Sequence, residues 1–205
     1  MKIFLNEVGK RFNYDWIFRG VTLTLETPGK YALLGPNGSG KSTLLQILSG
    51  SVGHSEGELR MELFGNEVNE RDWHKLLSMS APYMELVEEY TLEEFLTFHF
   101  SFKPALNGLS PLEVAQRIQL EHAFKKPVKH YSSGMRQRVR LGQAIFSETQ
   151  LVLLDEPCSN LDKTGIDLYH NLVEQYCNDR MVIVASNDPA EYYFCQQTFA
   201  MSDYK

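Results

Sequence analysis

The stretch Gly35-Pro36-Asn37-Gly38-Ser39-Gly40-Lys41-Ser42-Thr43 places the tightest limit on what this chain can fold into. It follows a short apolar run, Tyr31 to Leu34, and opens a segment whose Leu44, Ile47 and Leu48 fall on one face of a helix. Strand, glycine loop and helix, in that order, make a phosphate cradle. The fit to G-x-x-x-x-G-K-[ST] is complete: the glycines let backbone N–H groups wrap phosphates, and the helix N-terminus adds its partial positive charge. Lys41 is placed to reach the β- and γ-phosphates of a nucleotide, and Ser42 a Mg²⁺ ion. The plain alternative is a Gly/Ser-rich turn before an ordinary helix. At a glycine usage of about 7%, a chance match is expected on the order of once in a hundred such chains.

Composition limits the classes left open. With 205 residues, 43% hydrophobic and 22% charged, the chain can bury one good core and a small inserted subdomain. Its longest uninterrupted apolar run, Met181 to Ala185, is too short to span a bilayer. There is no apolar signal core at the N-terminus, and Cys158, Cys177 and Cys195 lack C-x-x-C spacing, so they read as reduced, buried thiols of a soluble cytosolic protein. The net charge of -6 tells against sequence-independent binding to nucleic acid.

Ile3–Val8 and Val21–Leu25 read as strands, followed by a turn at Thr27-Pro28-Gly29-Lys30. Between the two strands lie Phe12, Tyr14, Trp16 and Phe18; an exposed ring here can stack on adenine, although core packing is the default for any single one. Leu59–Leu63 alternates and leads into a turn at Phe64-Gly65-Asn66, as in a hairpin. Two capping boxes then start helices. Thr91-Leu92-Glu93-Glu94 opens one with Leu92, Phe95, Leu96 and His99 on one side, and Ser110-Pro111-Leu112-Glu113 opens another with Val114, Ala115 and Ile118.

Tyr131-Ser132-Ser133-Gly134-Met135 reads as a serine-rich turn capping a helix on Val139, Gly142, Ile145 and Phe146, with Arg136, Arg138 and Arg140 on its other faces. Leu151-Val152-Leu153-Leu154 has the wholly apolar character of a strand buried in a parallel sheet, and it ends in Asp155-Glu156-Pro157. Ligands of open α/β sheets sit outside the carboxyl ends of strands, where one carboxylate can serve Mg²⁺ and a second can orient an attacking water.

Taken together, the Walker A loop at Gly35 to Thr43, the signature-like loop at Tyr131 to Met135, the LLDEP strand end and Ser159-Asn160-Leu161-Asp162 resemble an ATP-binding cassette (ABC) ATPase over nearly the whole chain. The resemblance implies an α/β fold: a P-loop NTPase, RecA-like core with a mostly parallel sheet, a peripheral antiparallel β-subdomain and an inserted α-helical subdomain. It implies one nucleotide-binding domain over residues 1–205 with the insert at about 82–130. It also implies a head-to-tail dimer closing over two Mg-ATP, with Ser132 and Gly134 of one subunit facing the γ-phosphate held by the other. Residue by residue, Gly35, Pro36, Asn37, Gly38, Ser39, Gly40, Lys41, Ser42 and Thr43 match the phosphate loop, and Lys41 and Glu156 the catalytic pair. Ser42 and Asp155 match the Mg²⁺ positions, Asp162 the aspartate that communicates across the dimer, and Phe12 the adenine-stacking aromatic, with Tyr14 and Trp16 competing.

Three departures stand out. No glutamine occurs between Gln46 and Gln116, where the family places a Mg²⁺-touching Gln; the segment here reads Ser80-Ala81-Pro82-Tyr83-Met84-Glu85. After the last strand, Met181 to Ala185, Asn187 precedes Asp188 where the family has a switch histidine, and asparagine can bond a γ-phosphate but cannot carry a proton. The signature loop reads Tyr-Ser-Ser-Gly-Met instead of Leu-Ser-Gly-Gly-Gln. The expectation is ATP hydrolysis by the ATPase subunit of an ABC transporter, exporting through a separately encoded permease that docks at Pro82 to Leu96. Such a subunit is cytoplasmic and peripheral on the inner face of the membrane. Its second nucleotide-binding domain is a copy of itself or a relative. The alternatives are a soluble ABC ATPase working on a cytosolic machine or nucleic acid, disfavoured because there are no tandem cassettes or long coiled-coil insertions and because Lys125, Lys126, Lys129 and the three arginines read as a solvated helix face and insert surface, and a nucleotide-binding regulator.

Overall fold

The computed structural model describes residues 1–205. In chain order the elements are strands β1 (Lys2–Phe12), β2 (Asp15–Glu26) and β3 (Gly29–Leu34), helix α1 (Lys41–Leu48), strands β4 (Glu56–Leu63) and β5 (Asn66–Glu67), helix α2 (Trp73–Leu76) and strand β6 (Leu77–Ser80). Helices α3 (Leu92–Phe102), α4 (Pro111–Arg117) and α5 (Ser133–Ile145) follow, then β7 (Leu151–Asp155), α6 (Lys163–Tyr176), β8 (Met181–Ala185), α7 (Pro189–Tyr192) and β9 (Gln197–Ala200).

Two sheets organise the molecule. The antiparallel sheet runs β2-β1-β4-β5, and the parallel sheet runs β6-β7-β8-β3-β9. β7 and β8 are buried at every residue, which is why their sequences show no alternation: helices and the second sheet cover both faces. One core, built on Ile3, Val21, Leu45, Leu153 and Ile183, lies between the two sheets around α1. A second, built on Leu92, Leu96, Val114, Ile118, Val139, Ile145 and Val184, joins the helical segment to the opposite face of the parallel sheet.

Both capping boxes form. Thr91 accepts from Glu94 N while Glu94 bonds back to Thr91 N, and Ser110 and Glu113 do the same with Pro111 at the first helical position. Each cap is worth about 1 kcal/mol, which matters for helices of 11 and 7 residues.

Several local expectations need correction. Met181–Ala185 is not the last strand, because β9 adds to the far side of β3. The aromatic cluster does not lie between strands: β1 and β2 form one long hairpin, so Phe12, Trp16 and Phe18 sit within strands and only Tyr14 occupies the turn. Phe18 is core, whereas Tyr14 is 92% exposed. The three arginines of α5 are engaged rather than merely solvated: Arg136 pairs with Glu88, Arg138 with Asp162, and Arg140 donates to the Met84 carbonyl. Of the thiols only Cys177 is fully buried, and all three are free. Leu86, in the segment expected to dock a partner, is core.

Candidate functional site: the carboxyl edge of the parallel sheet

Register in the parallel sheet decides which residues meet. Leu33 of β3 is paired with Ala185 of β8, Ala185 with Asp155 of β7, and Leu154 of β7 with Ser80 of β6. The loops leaving these four strands therefore emerge side by side: the Gly35–Gly40 loop, Ser186-Asn187, Asp155-Glu156 and Ala81 to Tyr83. Four distant stretches of sequence share one edge because parallel strands all point their carboxyl ends the same way.

The glycine loop is shaped by its own geometry. Gly40 has φ 100°, and a Cβ there would lie 2.8 Å from Phe18 Cδ1 and 2.9 Å from Ile17 Cγ2. The loop closes through Ser39 N to Pro36 O at 3.0 Å, and α1 starts with Leu44 N to Gly40 O at 2.9 Å. No acidic side chain occupies the first turn of α1, leaving its positive end free for an anion. Lys41 Nζ donates to the carbonyls of Gly35 at 2.5 Å and Pro36 at 3.3 Å, so the ammonium lies along the loop. A cleft of about 300 Å³ results, lined by Ile17, Asn37 to Thr43 and Glu156.

The acidic pair sits beside it. Asp155 is 2% exposed, and neither carboxylate oxygen has a partner in hydrogen-bond geometry. Burial, with Glu156 adding to it, pushes the Asp155 carboxyl up, while the nearby Ser42 and Tyr83 hydroxyls and the Lys41 ammonium pull it back down. Two unpartnered buried oxygens next to a serine hydroxyl are a hard-donor set that suits Mg²⁺. Glu156 takes φ 42°, a left-handed conformation costly for a residue with a Cβ. Its N–H donates to Ala185 O at 2.9 Å, and Ser159 Oγ donates to Glu156 Oε2 at 3.3 Å. The following turn is pinned by a carboxylate that the sequence did not single out: Glu191, buried, whose Oε1 accepts from Cys158 N at 2.7 Å. Burial foremost pushes the Glu191 carboxyl up.

Asn187 reaches the glycine loop directly, its Oδ1 accepting from Gly35 N at 3.2 Å. Phe12 does not line the phosphate cleft. It lies toward the tip of the β1–β2 hairpin, 49% exposed, with Lys10 Nζ 4.7 Å from its ring centroid. Trp16 is flanked by Arg19 at 4.2 Å and Arg11 at 5.6 Å. Ile17, absent from the sequence expectations, lines the cleft from β2; the small Gly40 opposite it was the available signal.

Ser132 and Gly134 fall elsewhere. Ser132 caps α5, its Oγ accepting from Met135 N at 3.2 Å, and with Gly134, Arg138, Asn160, Asp162 and His122 it lines a second cleft of about 320 Å³ that shares no residue with the first. Within one chain the two sets of residues are not brought together. Helix α5 lies between them, its buried Gln137 donating to Pro157 O at 2.8 Å, next to Glu156.

Comparison with known proteins identifies the family and the fold. The family described as ABC transporter matches residues 18–159. The lantibiotic transport ATP-binding protein SrtF of Streptococcus pyogenes is 30% identical over 188 residues, spanning 89% of this chain and 78% of SrtF. The zinc import ATP-binding protein ZnuC of Yersinia pestis is 31% identical over 172 residues, spanning 83% of this chain and 63% of ZnuC. In fold, the chain is similar to the ATP-binding subunit of an ABC transporter with a TM-score of 0.84 at 22% identity, covering 98% of this chain and 85% of that one. It is also similar to a bacterial Atm1-family ABC exporter with ATP bound, with a TM-score of 0.81 at 16% identity over 97% of this chain and 37% of the exporter. These two likenesses show the P-loop NTPase fold. The chain belongs to the ABC transporter family, as an ATP-binding subunit with ATPase activity.

Proposed function

We propose that residues 1–205 form one nucleotide-binding domain, with a helical insert at about 82–130, that powers a separately encoded membrane permease. The observation that carries this reading is the gathering of the glycine loop, Asp155, Glu156 and Asn187 on one sheet edge. Backbone N–H groups of Gly38 to Thr43 and the Lys41 ammonium bind the triphosphate of ATP. Ser42 and Asp155 hold Mg²⁺, which when bound neutralises charge on the β- and γ-phosphate oxygens. Glu156 orients the attacking water and accepts its proton, its backbone fixed by Ala185 and its side chain by Ser159. Asn187, already bonded to the loop, offers a neutral donor to the γ-phosphate. Phe12, exposed at the hairpin tip, takes the adenine face.

The second cleft completes the site of another subunit. Ser132 and the N-terminus of α5 present donors with no phosphate loop of their own, so we infer a head-to-tail dimer, most simply of two copies. No helix is long and apolar enough to cross a membrane, which fits a protein held at the inner face of the membrane by its permease. The groove beside Tyr83 and Met84, roughly 440 Å³, is the docking site we assign to that partner. Direction rests on the serine-rich signature loop, which points to export. Affinity capture of tagged Glu156→Gln protein from gently solubilised cells, with ATP and Mg²⁺, tests the reading. Stoichiometric recovery of a polytopic membrane protein supports it, and recovery of ribosomes, nucleic acid or a soluble assembly alone overturns it.

A further inference from the structure

We propose that Glu191 is a positioning residue for Glu156: its buried carboxylate, standing on α7, holds the turn that keeps the Glu156 backbone left-handed and so aims the Glu156 side chain at the attacking water. The inference rests on the reading of Glu156 as the group that orients that water.

Lys41, Asp155, Arg180 and Glu191 are the charged side chains buried in this molecule. The first two belong to the sheet edge described above, and Arg180 donates to the carbonyls of Ile145, Ser147 and Tyr176. Glu191 has no such evident purpose, and none of the ion pairs includes it. A carboxylate taken out of water without a cation is costly unless hydrogen bonds hold it. The bond it makes is to Cys158 N at 2.7 Å, across 33 residues of sequence, in the turn that leaves Glu156.

That turn is where the backbone is most constrained. A residue with a Cβ stays at the φ of 42° that Glu156 adopts only when its surroundings hold it there. Each backbone polar group from Glu156 to Cys158 is held. Glu156 N donates to Ala185 O at 2.9 Å, Glu156 O accepts from Ser159 N at 3.0 Å, Pro157 O accepts from Gln137 Nε2 at 2.8 Å, and Cys158 O accepts from Leu161 N at 3.0 Å. Pro157 has no N–H, so Cys158 N is the remaining donor, and Glu191 takes it. The base under Glu191 is itself fixed. Asp188 Oδ1 accepts from Ala190 N at 2.9 Å at the start of α7, the buried Tyr169 hydroxyl of α6 donates to Glu191 O at 2.7 Å, and His170 Nε2 shares a 2.6 Å hydrogen bond with Ala190 O. The same short segment carries Asn187, whose Oδ1 accepts from Gly35 N. Glu191 thus ties the acidic turn to the segment that touches the phosphate loop.

Misplacing a catalytic group by about 1 Å costs on the order of 100-fold in rate. Glu191→Leu occupies similar space and offers no acceptor, whereas Glu191→Gln keeps an acceptor oxygen. Glu191→Leu should lower kcat for ATP about 100-fold with KM and ATP affinity unchanged, and Glu191→Gln should restore most of that loss. A double-mutant cycle separates positioning from general support. In a Glu156→Gln background, where the base is already gone, adding Glu191→Leu should cost nothing further in single-turnover phosphate release. If Glu156→Gln alone leaves turnover unchanged, the reading of Glu156 fails, and this inference with it. The inference alone is overturned if Glu156→Gln lowers turnover and Glu191→Leu leaves kcat as it was, lowers it equally in both backgrounds, or is matched by Glu191→Gln. Should Glu191→Leu not fold, Tyr169→Phe, which loosens α7 at the Glu191 carbonyl, takes its place in the cycle with an expected loss of about fivefold. A loss of equal size in both backgrounds, or no loss, then overturns the inference in the same way.

Discussion

The phosphate cleft draws nearly all of its lining from one unbroken stretch, Asn37 to Thr43, with Ile17 and Glu156 added, whereas the signature cleft collects residues from three separate segments around Gln119, Ser132 and Asn160. The first has an ammonium laid along its own loop by two backbone carbonyls, and a helix N-terminus with no acidic side chain in its first turn, the two features a triphosphate needs. The second has a hydroxyl and a helix N-terminus, but its guanidinium is committed: Arg138 faces Asp162 at 3.7 Å and Gln119 Oε1 at 3.3 Å. That difference teaches how labour is divided. In the proposed dimer, one cleft binds the nucleotide and the other complements an anion that the partner subunit already holds.

Substitutions in the two clefts should therefore fail in different ways. Glu156→Gln should lower turnover by about 100- to 10,000-fold, the usual contribution of a positioned base, with ATP binding retained; equal phosphate release by variant and parent would remove Glu156 from that role. Lys41→Ala should weaken ATP binding by about 10- to 100-fold, the worth of a charge-assisted hydrogen bond. Gly134→Asp should leave the ATP affinity of the isolated chain untouched and abolish ATP-driven association. A Cβ at 134 would already lie 3.0 Å from the Asn160 carbonyl, and an added carboxylate repels phosphate. Loss of ATP affinity in Gly134→Asp would erase the distinction between the clefts.

A smaller effect concerns the wall between the helical segment and the sheet. Burial, with the Lys103 ammonium nearby, pushes His99 from 6.5 down to about 4, and its ring nitrogen shares a 2.8 Å hydrogen bond with Ser147 Oγ. The folded state thus binds fewer protons than the unfolded one between about pH 4 and 6.5. Stability from this group is complete above pH 6.5 and is lost as pH falls toward 4, by about 3 kcal/mol. His99→Gln should flatten the fall in melting temperature over that window. Smallest of all, Asn187→His exchanges a neutral donor for one that can be charged, a difference of about 1 kcal/mol, or about fivefold in turnover, and should add a pH dependence near the imidazole range. An unchanged or lower rate would show that Asn187 is not a handicap.

The same contrast explains what could be read from the sequence. The phosphate loop was legible because one contiguous motif specifies it, and the helix starts were legible because Thr91 and Ser110 carry their caps three residues from Glu94 and Glu113. The buried strands β7 and β8 announced themselves as unbroken apolar runs. Ile17 and Glu191 were not singled out for their contacts at the site. Each meets a neighbour far along the chain, Gly40 for Ile17 and Cys158 for Glu191, and only the folded chain brings those pairs together. The hairpin aromatics misled for a related reason. An aromatic residue fits a strand as well as a turn, and the register of β1 on β2, not the spacing, buries Phe18 and leaves Tyr14 outside.

The central claim is that each chain holds one half of two composite sites. In a Glu156→Gln background, Lys41→Ala disables the phosphate cleft and Gly134→Asp the signature cleft, so a mixture of the two proteins can assemble one intact site. Sedimentation with ATP and Mg²⁺ should show the parent Glu156→Gln protein as a dimer, each double variant alone as a monomer, and the mixture as a heterodimer. A parent that dimerises with ATP while the mixture remains monomeric would contradict the account.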